Sequence, residues 1–222
     1  MKKLVVAGCS VSDWTQVDKV WGEYVAKHLG LEYMHLAAGC GSNYRMWRLL
    51  TTHIRNGTIT ADDTVLVQYT TLERTEFWSA QIDAHWQVPN AHLRDSYTEG
   101  SIIKFKTDSH KWSAGIERKF MKMYERFIGM EFEREKFINN HIAFQCLAKE
   151  YNIHNLYFVK VGKYGYNGED VHPTISKYKD NFLNYKDIFD NKKWHLKGDP
   201  FHLSATGHTI LADRVIKVIE SK

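Results

Sequence analysis

The chain alternates between short, uninterrupted apolar runs and longer stretches in which apolar residues return every three or four positions. The first run, Leu4-Val5-Val6-Ala7, contains no breaker and reads as a strand buried on both faces of a parallel sheet. Beyond it, Val17, Val20, Trp21, Tyr24, Val25 and Leu29 recur at helical spacing. They predict a helix over 13–29, closed by Gly30 at the C′ position. Residues 31–36 predict a second strand, and 44–54 a second helix ended by Asn56-Gly57. A third strand is expected over 64–69, after the turn-like Ala61-Asp62-Asp63. Strand, helix, strand, helix, strand is the rhythm of a parallel α/β sheet.

That rhythm breaks between about residues 70 and 118. The stretch holds Phe77, Trp78, Trp86, Tyr97 and Trp112, and 101–106 alternates like a short exposed strand. It predicts an insertion over the carboxyl edge of the sheet. Two readings stand open for it, a lid or binding loop and a flap that buries its own aromatics. Regularity returns with a long helix from 116 or 120 to 151, with Gly129 as a break point. Its inward stripe reads as Ile138, Ile142, Cys146 and Leu147. Residues 155–161 predict a fourth strand, and 162–197 show only a polar loop rich in lysine and tyrosine. The last helix is expected over 204–219, with Ser204 as N-cap and Ile210, Leu211, Val215, Val218 and Ile219 facing inward.

With 222 residues, 43% of them hydrophobic, and three prolines, the chain has the composition of one globular domain spanning 1–222. A net charge of +4 is spread without a basic run, which argues against a nucleic-acid partner. Cys9, Cys40 and Cys146 are odd in number and fit a reducing compartment; no disulfide is expected. Met1-Lys2-Lys3 ahead of an apolar run ending at Cys9 imitates a lipoprotein signal. Its apolar core of four residues falls short of the roughly 7–15 that a signal needs. No segment approaches the roughly 20 apolar residues of a membrane span, so the expected location is the cytoplasm, with no membrane partner.

Two places carry candidate chemistry. Ser10 lies just past the carboxyl end of the first strand, where open α/β sheets place their ligands. It suits a nucleophile at a sharp strand-to-helix turn, although, taken alone, the stretch is better read as Ser10 or Asp13 capping the next helix. Near the other end stands Asp199-Pro200-Phe201-His202. An acid three residues ahead of a histidine is able to accept the imidazole Nδ1–H, leaving Nε2 to take a proton from a nucleophile. The 12 histidines include no His-x-x-x-His pair, and no Cys-x-x-Cys occurs, so no metal or other cofactor is expected.

In these motifs and in their order the chain resembles the SGNH hydrolases, the GDSL esterase/lipase superfamily. Gly8-Cys9-Ser10-Val11 corresponds to the family's first block, and Gly41 in Gly39-Cys40-Gly41-Ser42-Asn43 to the glycine of its second. The last block is matched from Asp199 through His202 and Ser204 to Gly207-His208. The resemblance implies a three-layer α/β/α fold around a flavodoxin-like parallel sheet. It implies Ser10 as nucleophile, His202 as general base and then acid, and Asp199 as the residue that orients His202. It further implies an oxyanion hole of the Ser10 and Gly41 N–H groups, with His208 packing or hydrogen-bonding near a helix start.

Two positions depart from the family pattern. The third block, Gly-x-Asn-Asp, is replaced by Gln68-Tyr69-Thr70-Thr71-Leu72-Glu73-Arg74. Asn43 is a candidate for the missing donor, or else a helix cap; Thr70 and Thr71 offer hydroxyls. Arg74 is read either as orienting a substrate or as pinning the insertion. Cys9 stands where the family has aspartate, and reads as a small buried residue rather than a thiol nucleophile. The expected function is a serine esterase acting on a small ester, preferably an O-acetyl group on a carbohydrate. The alternatives are a non-catalytic binding protein on the same fold and an O-acyltransferase. The partner is a small-molecule or carbohydrate ester, and the oligomeric state is open.

Overall fold

The N-terminal apolar run forms strand β1 (Lys3–Ala7), and Leu4 through Ala7 are completely buried in the computed structural model. The structure describes residues 1–14, 17–39, 41–70, 72, 74–79, 84–88, 130–160, 182–199 and 202–222. Strands β2 (Glu32–His35), β3 (Thr64–Tyr69), β6 (Leu156–Lys160) and β7 (Phe182–Asn184) join β1 in a sheet ordered β2-β1-β3-β6-β7, every pair parallel. The intervening β4 (Thr75–Ser79) and β5 (Ala84–Val88) pair antiparallel with each other.

Among the described residues five helices accompany this sheet: α1 (Trp21–Leu29), α2 (Asn43–Arg55), α3 (Met130–Glu150), the short α4 (Lys186–Asp190) and α5 (Ala205–Glu220). The chain steps from β1 outward to β2, then back across β1 to β3. Right-handed crossovers in opposite directions put α1 and α2 on opposite faces. Accordingly α1 packs with α5, and α2 with α3, giving three layers. The direction of winding reverses between β1 and β3, and the crevice beyond their carboxyl ends is where such sheets bind ligands.

Several expected boundaries move, each for a local reason. Instead of a helix from residue 13, the chain makes one 3-10 turn at Ser10–Ser12, and α1 begins only at Trp21. Val20 is extended, and the Glu23 carboxylate accepts its N–H at 3.0 Å, as the third residue of a helix does in a capping box. Gly30 takes the left-handed C-terminal position, at φ 66°. Ser42 caps α2 by accepting the Arg45 N–H, and Ser204 caps α5 by accepting that of Gly207.

The inward stripe of α3 is rotated from the one expected. Phe137, Ile138, His141, Phe144 and Ala148 are buried, Ile142 and Leu147 are half-buried, and Cys146 is exposed. A histidine occupies an apolar position because its Nδ1 meets the Tyr69 hydroxyl at 2.5 Å, inside a cluster with Trp47, Phe137 and Phe158. The loop expected over 162–197 contains β7 and α4. Of the insertion, the described part is the β4–β5 hairpin, fastened to α2 where Arg48 donates to both carboxylate oxygens of Glu76 at 2.6 and 3.1 Å. Its remaining aromatics Tyr97 and Trp112, the alternating 101–106 and the start of the long helix lie outside the described residues. Among the described residues no helix is long and apolar enough to cross a membrane.

His208, buried in α5, closes the α1–α5 face by accepting the Trp21 backbone N–H on Nδ1 at 3.2 Å. This uses an N-terminal donor that α1 itself leaves unpaired. Burial, and then the neighbouring His202, push the His208 pKa down from 6.5 to about 4. The unfolded chain therefore takes up a proton that the folded chain refuses. The stability contribution is present above about pH 6.5 and is lost as pH falls toward 4. Thermal melts should show H208Q less stable than the parent at pH 7 but with a shallower loss between pH 6.5 and 4. The difference in slope should reach at most about 1.4 kcal/mol per pH unit. Equal slopes would remove His208 as the cause.

Candidate active site

β1 ends at Gly8, whose missing side chain is a packing requirement. A Cβ there would lie 2.8 Å from the Ser12 side chain and 3.0 Å from the Gln68 amide oxygen. The chain then coils once, with the Ser12 N–H donating to the Cys9 carbonyl at 2.9 Å, and Ser10 begins that coil, half-buried. Gln68, on β3, is completely buried beneath it. Its amide oxygen accepts from the Cys9 N–H at 3.2 Å, the Cys9 thiol at 3.3 Å and the Ser12 hydroxyl at 3.1 Å. Ser12 in turn accepts the indole N–H of Trp21 at 2.9 Å. Cys9 is thus a small buried residue, as expected, and also a donor.

Asp13 fixes the far end of the coil. Its carboxylate accepts from the Trp14 and Gly39 N–H groups at 3.0 and 2.9 Å and meets His35 Nε2 at 3.3 Å. Burial alone would raise its pKa. The His35 hydrogen bond and charge, with the two backbone donors, outweigh burial and hold the carboxyl below its usual value. Trp14, 43% exposed, stacks on His35 with ring centroids 3.8 Å apart.

The second loop docks on the same strand end. The Gly8 carbonyl accepts the Ala38 N–H at 3.2 Å, and a Cβ on Gly41 would come within 2.8 Å of that carbonyl oxygen. The backbone approach therefore requires glycine. The Gly41 N–H itself donates to the Ala38 carbonyl at 2.9 Å, so in this conformation it is not presented to a substrate oxygen as the resemblance implies. Asn43, buried at the start of α2, pairs its carboxamide with the Thr70 backbone. It donates to the Thr70 carbonyl at 3.0 Å and accepts the Thr70 N–H at 2.8 Å. Asn43 is therefore not the helix cap, a role that Ser42 fills. It extends the end of β3 as an extra strand residue would. Thr70 is buried there, and Arg74 is half-buried. Thr71 and Cys40 lie outside the described residues. Arg48 ties the β4–β5 pair to α2 through Glu76.

The histidine arrives on a separate scaffold. The Asp199 N–H donates to the Leu196 carbonyl at 3.0 Å, closing a tight turn with Gly198 at φ 81°, a value that suits glycine. The Leu196 N–H donates to the His202 carbonyl at 3.0 Å, and His195 bridges Leu203. Both the N–H and the hydroxyl of Ser204 then donate to the Trp194 carbonyl, at 2.8 and 2.9 Å. A Cβ on Gly207 would collide with that carbonyl, which accounts for the glycine in the last motif.

The two scaffolds meet. His202 Nδ1 lies 2.6 Å from Asp199 Oδ2, Asp199 Oδ1 accepts the His202 N–H at 3.2 Å, and His202 Nε2 lies 2.9 Å from Ser10 Oγ across 192 positions of sequence. Alcohol, imidazole and carboxylate form one hydrogen-bonded series, with His202 and Asp199 still 20% and 30% exposed. That series is arranged to move a proton off Ser10. Sequence reasoning missed Gln68 and Ser12. Their only signal was a polar residue inside an otherwise apolar strand and a second serine two places after the first. Among the described residues, no group of three or more His, Cys, Asp or Glu side chains is placed to hold a metal ion.

No family model matches the sequence, and no curated protein matches it. Solved structures do. The chain superposes on the psychrotrophic esterase EstA of Pseudoalteromonas sp. with a TM-score of 0.56 and 10% identity, covering 100% of this chain and 98% of that one. Against a lipolytic protein of the G-D-S-L family from Desulfitobacterium hafniense the TM-score is 0.56 at 10% identity, over 98% and 99% of the two chains. An acetyl xylan esterase from Butyrivibrio proteoclasticus gives 0.51 at 14% identity, over 99% of this chain and 64% of that one. The chain carries the α/β fold of the SGNH, or GDSL-type, esterases and acylhydrolases.

Proposed function

We propose that this protein is a serine esterase of the SGNH type. The observation that carries the reading is the hydrogen-bonded series from Ser10 Oγ through His202 to Asp199, at 2.9 and 2.6 Å. In acylation His202 Nε2 takes the hydroxyl proton as Ser10 Oγ bonds to the ester carbonyl carbon. The imidazolium, held by Asp199, then protonates the leaving alcohol as the carbon–oxygen ester bond breaks. In deacylation His202 takes a proton from water, the hydroxide oxygen attacks the acyl carbon, and Ser10 leaves with its proton restored.

The developing oxyanion needs donors, each worth about 3 kcal/mol in the transition state. Among the described residues the Ser10 N–H donates to no other group, and it is the donor assigned here. Asn43, whose carboxamide is held on the Thr70 backbone, is the second candidate donor. The Gly41 N–H joins only if it leaves the Ala38 carbonyl. That engagement favours a second reading, a non-catalytic binding site on the same fold.

The proposed substrate is a small acyl ester on a carbohydrate. Trp14 offers an exposed indole face four residues from Ser10, a surface on which sugar rings stack. The fold is shared with an acetyl xylan esterase, which acts on such esters. Hydrolysis and transfer to a sugar use the same acyl-enzyme and differ in the nucleophile that clears it.

Hydrolysis of p-nitrophenyl acetate and of acetylated xylo-oligosaccharides tests the reading. S10A should lose at least about 10⁴-fold in kcat with an unchanged melting temperature, and D199N about 10³–10⁴-fold. Hydrolysis that survives S10A would sink the proposal, and ligand binding without any hydrolysis by the parent would install the binding-protein reading. For Asn43, N43A should lower kcat by about 10–100-fold and destabilise by about 1–3 kcal/mol, because the Thr70 N–H and carbonyl are left buried and unpaired. A parent-like melt and parent-like kcat for N43A would show that neither role is filled by this residue.

A further inference from the structure

We infer that Gln68 is the positioning residue of the nucleophile: it holds the coil that presents Ser10 by accepting three hydrogen bonds on one amide oxygen. The inference rests on the esterase reading for its catalytic consequence, but the geometry is independent of it. Gln68 is the single side chain of β3 whose polar group faces the β1 terminus. It sits at the boundary between the two central strands, fully removed from solvent. The three donors it accepts bracket the nucleophile. Two are from Cys9, immediately before Ser10, and one is from Ser12, two places after it.

The orientation of the carboxamide is not arbitrary. Its Nε2 donates to the Tyr69 carbonyl at 2.7 Å. A flipped amide would set oxygen against that carbonyl and NH₂ against the Cys9 N–H, two repulsive contacts for the loss of four attractive ones. Gln68 is therefore locked, and through it so are the φ/ψ values of the coil. Buried donors around the coil have no water to turn to, so loss of the acceptor costs each of them its hydrogen bond. The coil would relax, and with it the 2.9 Å contact from Ser10 Oγ to His202. A shift of about 1 Å in a reacting group is enough to cost about 10²-fold in rate.

The same geometry accounts for Cys9. A residue at position 9 must be small, buried and able to donate to the Gln68 oxygen. A carboxylate there would face an oxygen that is fixed in place and would be repelled. Cysteine at 9 and glutamine at 68 form a neutral, matched pair.

The experiment compares the parent with Q68L and Q68E, and with S10A as control. It uses labelling of Ser10 by a fluorophosphonate, read by intact mass, together with ester turnover and backbone hydrogen exchange. Q68L should label at least 10-fold more slowly and lose at least 10-fold in kcat with KM within about threefold, since substrate contacts are untouched. Exchange at residues 9–12 should accelerate at least 10-fold while β6 keeps its protection. In Q68E a protonated carboxyl is able to donate to the Tyr69 carbonyl and accept from the coil, whereas the carboxylate repels that carbonyl. Its activity relative to the parent should therefore recover as pH falls, a profile that a packing role alone would not produce. Parent-like labelling in a folded Q68L, or a Q68E profile parallel to that of the parent, would overturn the inference. If Q68L does not fold, the Q68E profile decides. If the parent itself takes no label at Ser10, the esterase reading fails instead, and the exchange at residues 9–12 in Q68E still decides whether residue 68 holds the coil.

Discussion

The parallel pairing of β1 with β3 is the constraint on which the site depends. Val5 lies beside Val65, Val6 beside Leu66 and Ala7 beside Val67, all completely buried. Two apolar strands excluded from water on both faces admit little freedom of register, because a one-residue slip would exchange the side chains presented to each face. Once that register is set, the turn after β1 has to form directly above the next residues of β3. Gln68 is the first polar group it meets. An amide in such surroundings costs about 1–3 kcal/mol for each hydrogen bond it fails to make. The demand runs both ways, since the turn needs acceptors and the strand needs donors. A coil beginning at Ser10 satisfies both.

The other half of the site is built about 190 positions later, and Trp21 joins the two. Its backbone N–H is accepted by His208, six residues beyond His202, and its indole N–H by Ser12, two residues beyond Ser10. One residue at the start of α1 therefore references both the alcohol-bearing coil and the helix that follows the imidazole. The α1–α5 packing places Trp21 for this, and the absence of helix before it is part of the arrangement. A helix from residue 13 would have taken the backbone donor at Trp21 for its own ladder and left His208 without it.

This explains what was legible in the sequence and what was not. The strands of the sheet centre were plain, because burial on both faces makes them almost wholly apolar, Gln68 near the end of β3 being the exception. Ser10, Asp199 and His202 were legible because their spacing and order are a property of the chain itself. The start of α1 was not. Val17 and Val20 continue the helical period, and only the tertiary partner of Trp21 shows that the helix begins later. His141 failed for the related reason that a histidine in an apolar stripe is visible as core only beside the tyrosine 72 positions away that binds it. The roles of Gly41 and Asn43 hinge on backbone groups of Ala38 and Thr70, and backbone contacts between distant loops leave no mark in composition or spacing.

Asn43 and Gln68 fill complementary places on β3. Gln68 faces the coil that carries Ser10, and Thr70, two residues on, has its backbone taken by Asn43 from α2. The carboxyl end of β3 is therefore bound on one side to the first loop and on the other to the second, through side-chain amides rather than through strand pairing. An amide is suited to this because it donates and accepts without charge, and so adds no ionised group beside Ser10, His202 and Asp199. Under the proposed function, a carboxylate in either place would raise the cost of placing negative charge on a substrate oxygen beside it. In the proposed esterase, neutral amides hold the geometry while leaving the local field to the backbone N–H of Ser10 and the imidazolium of His202.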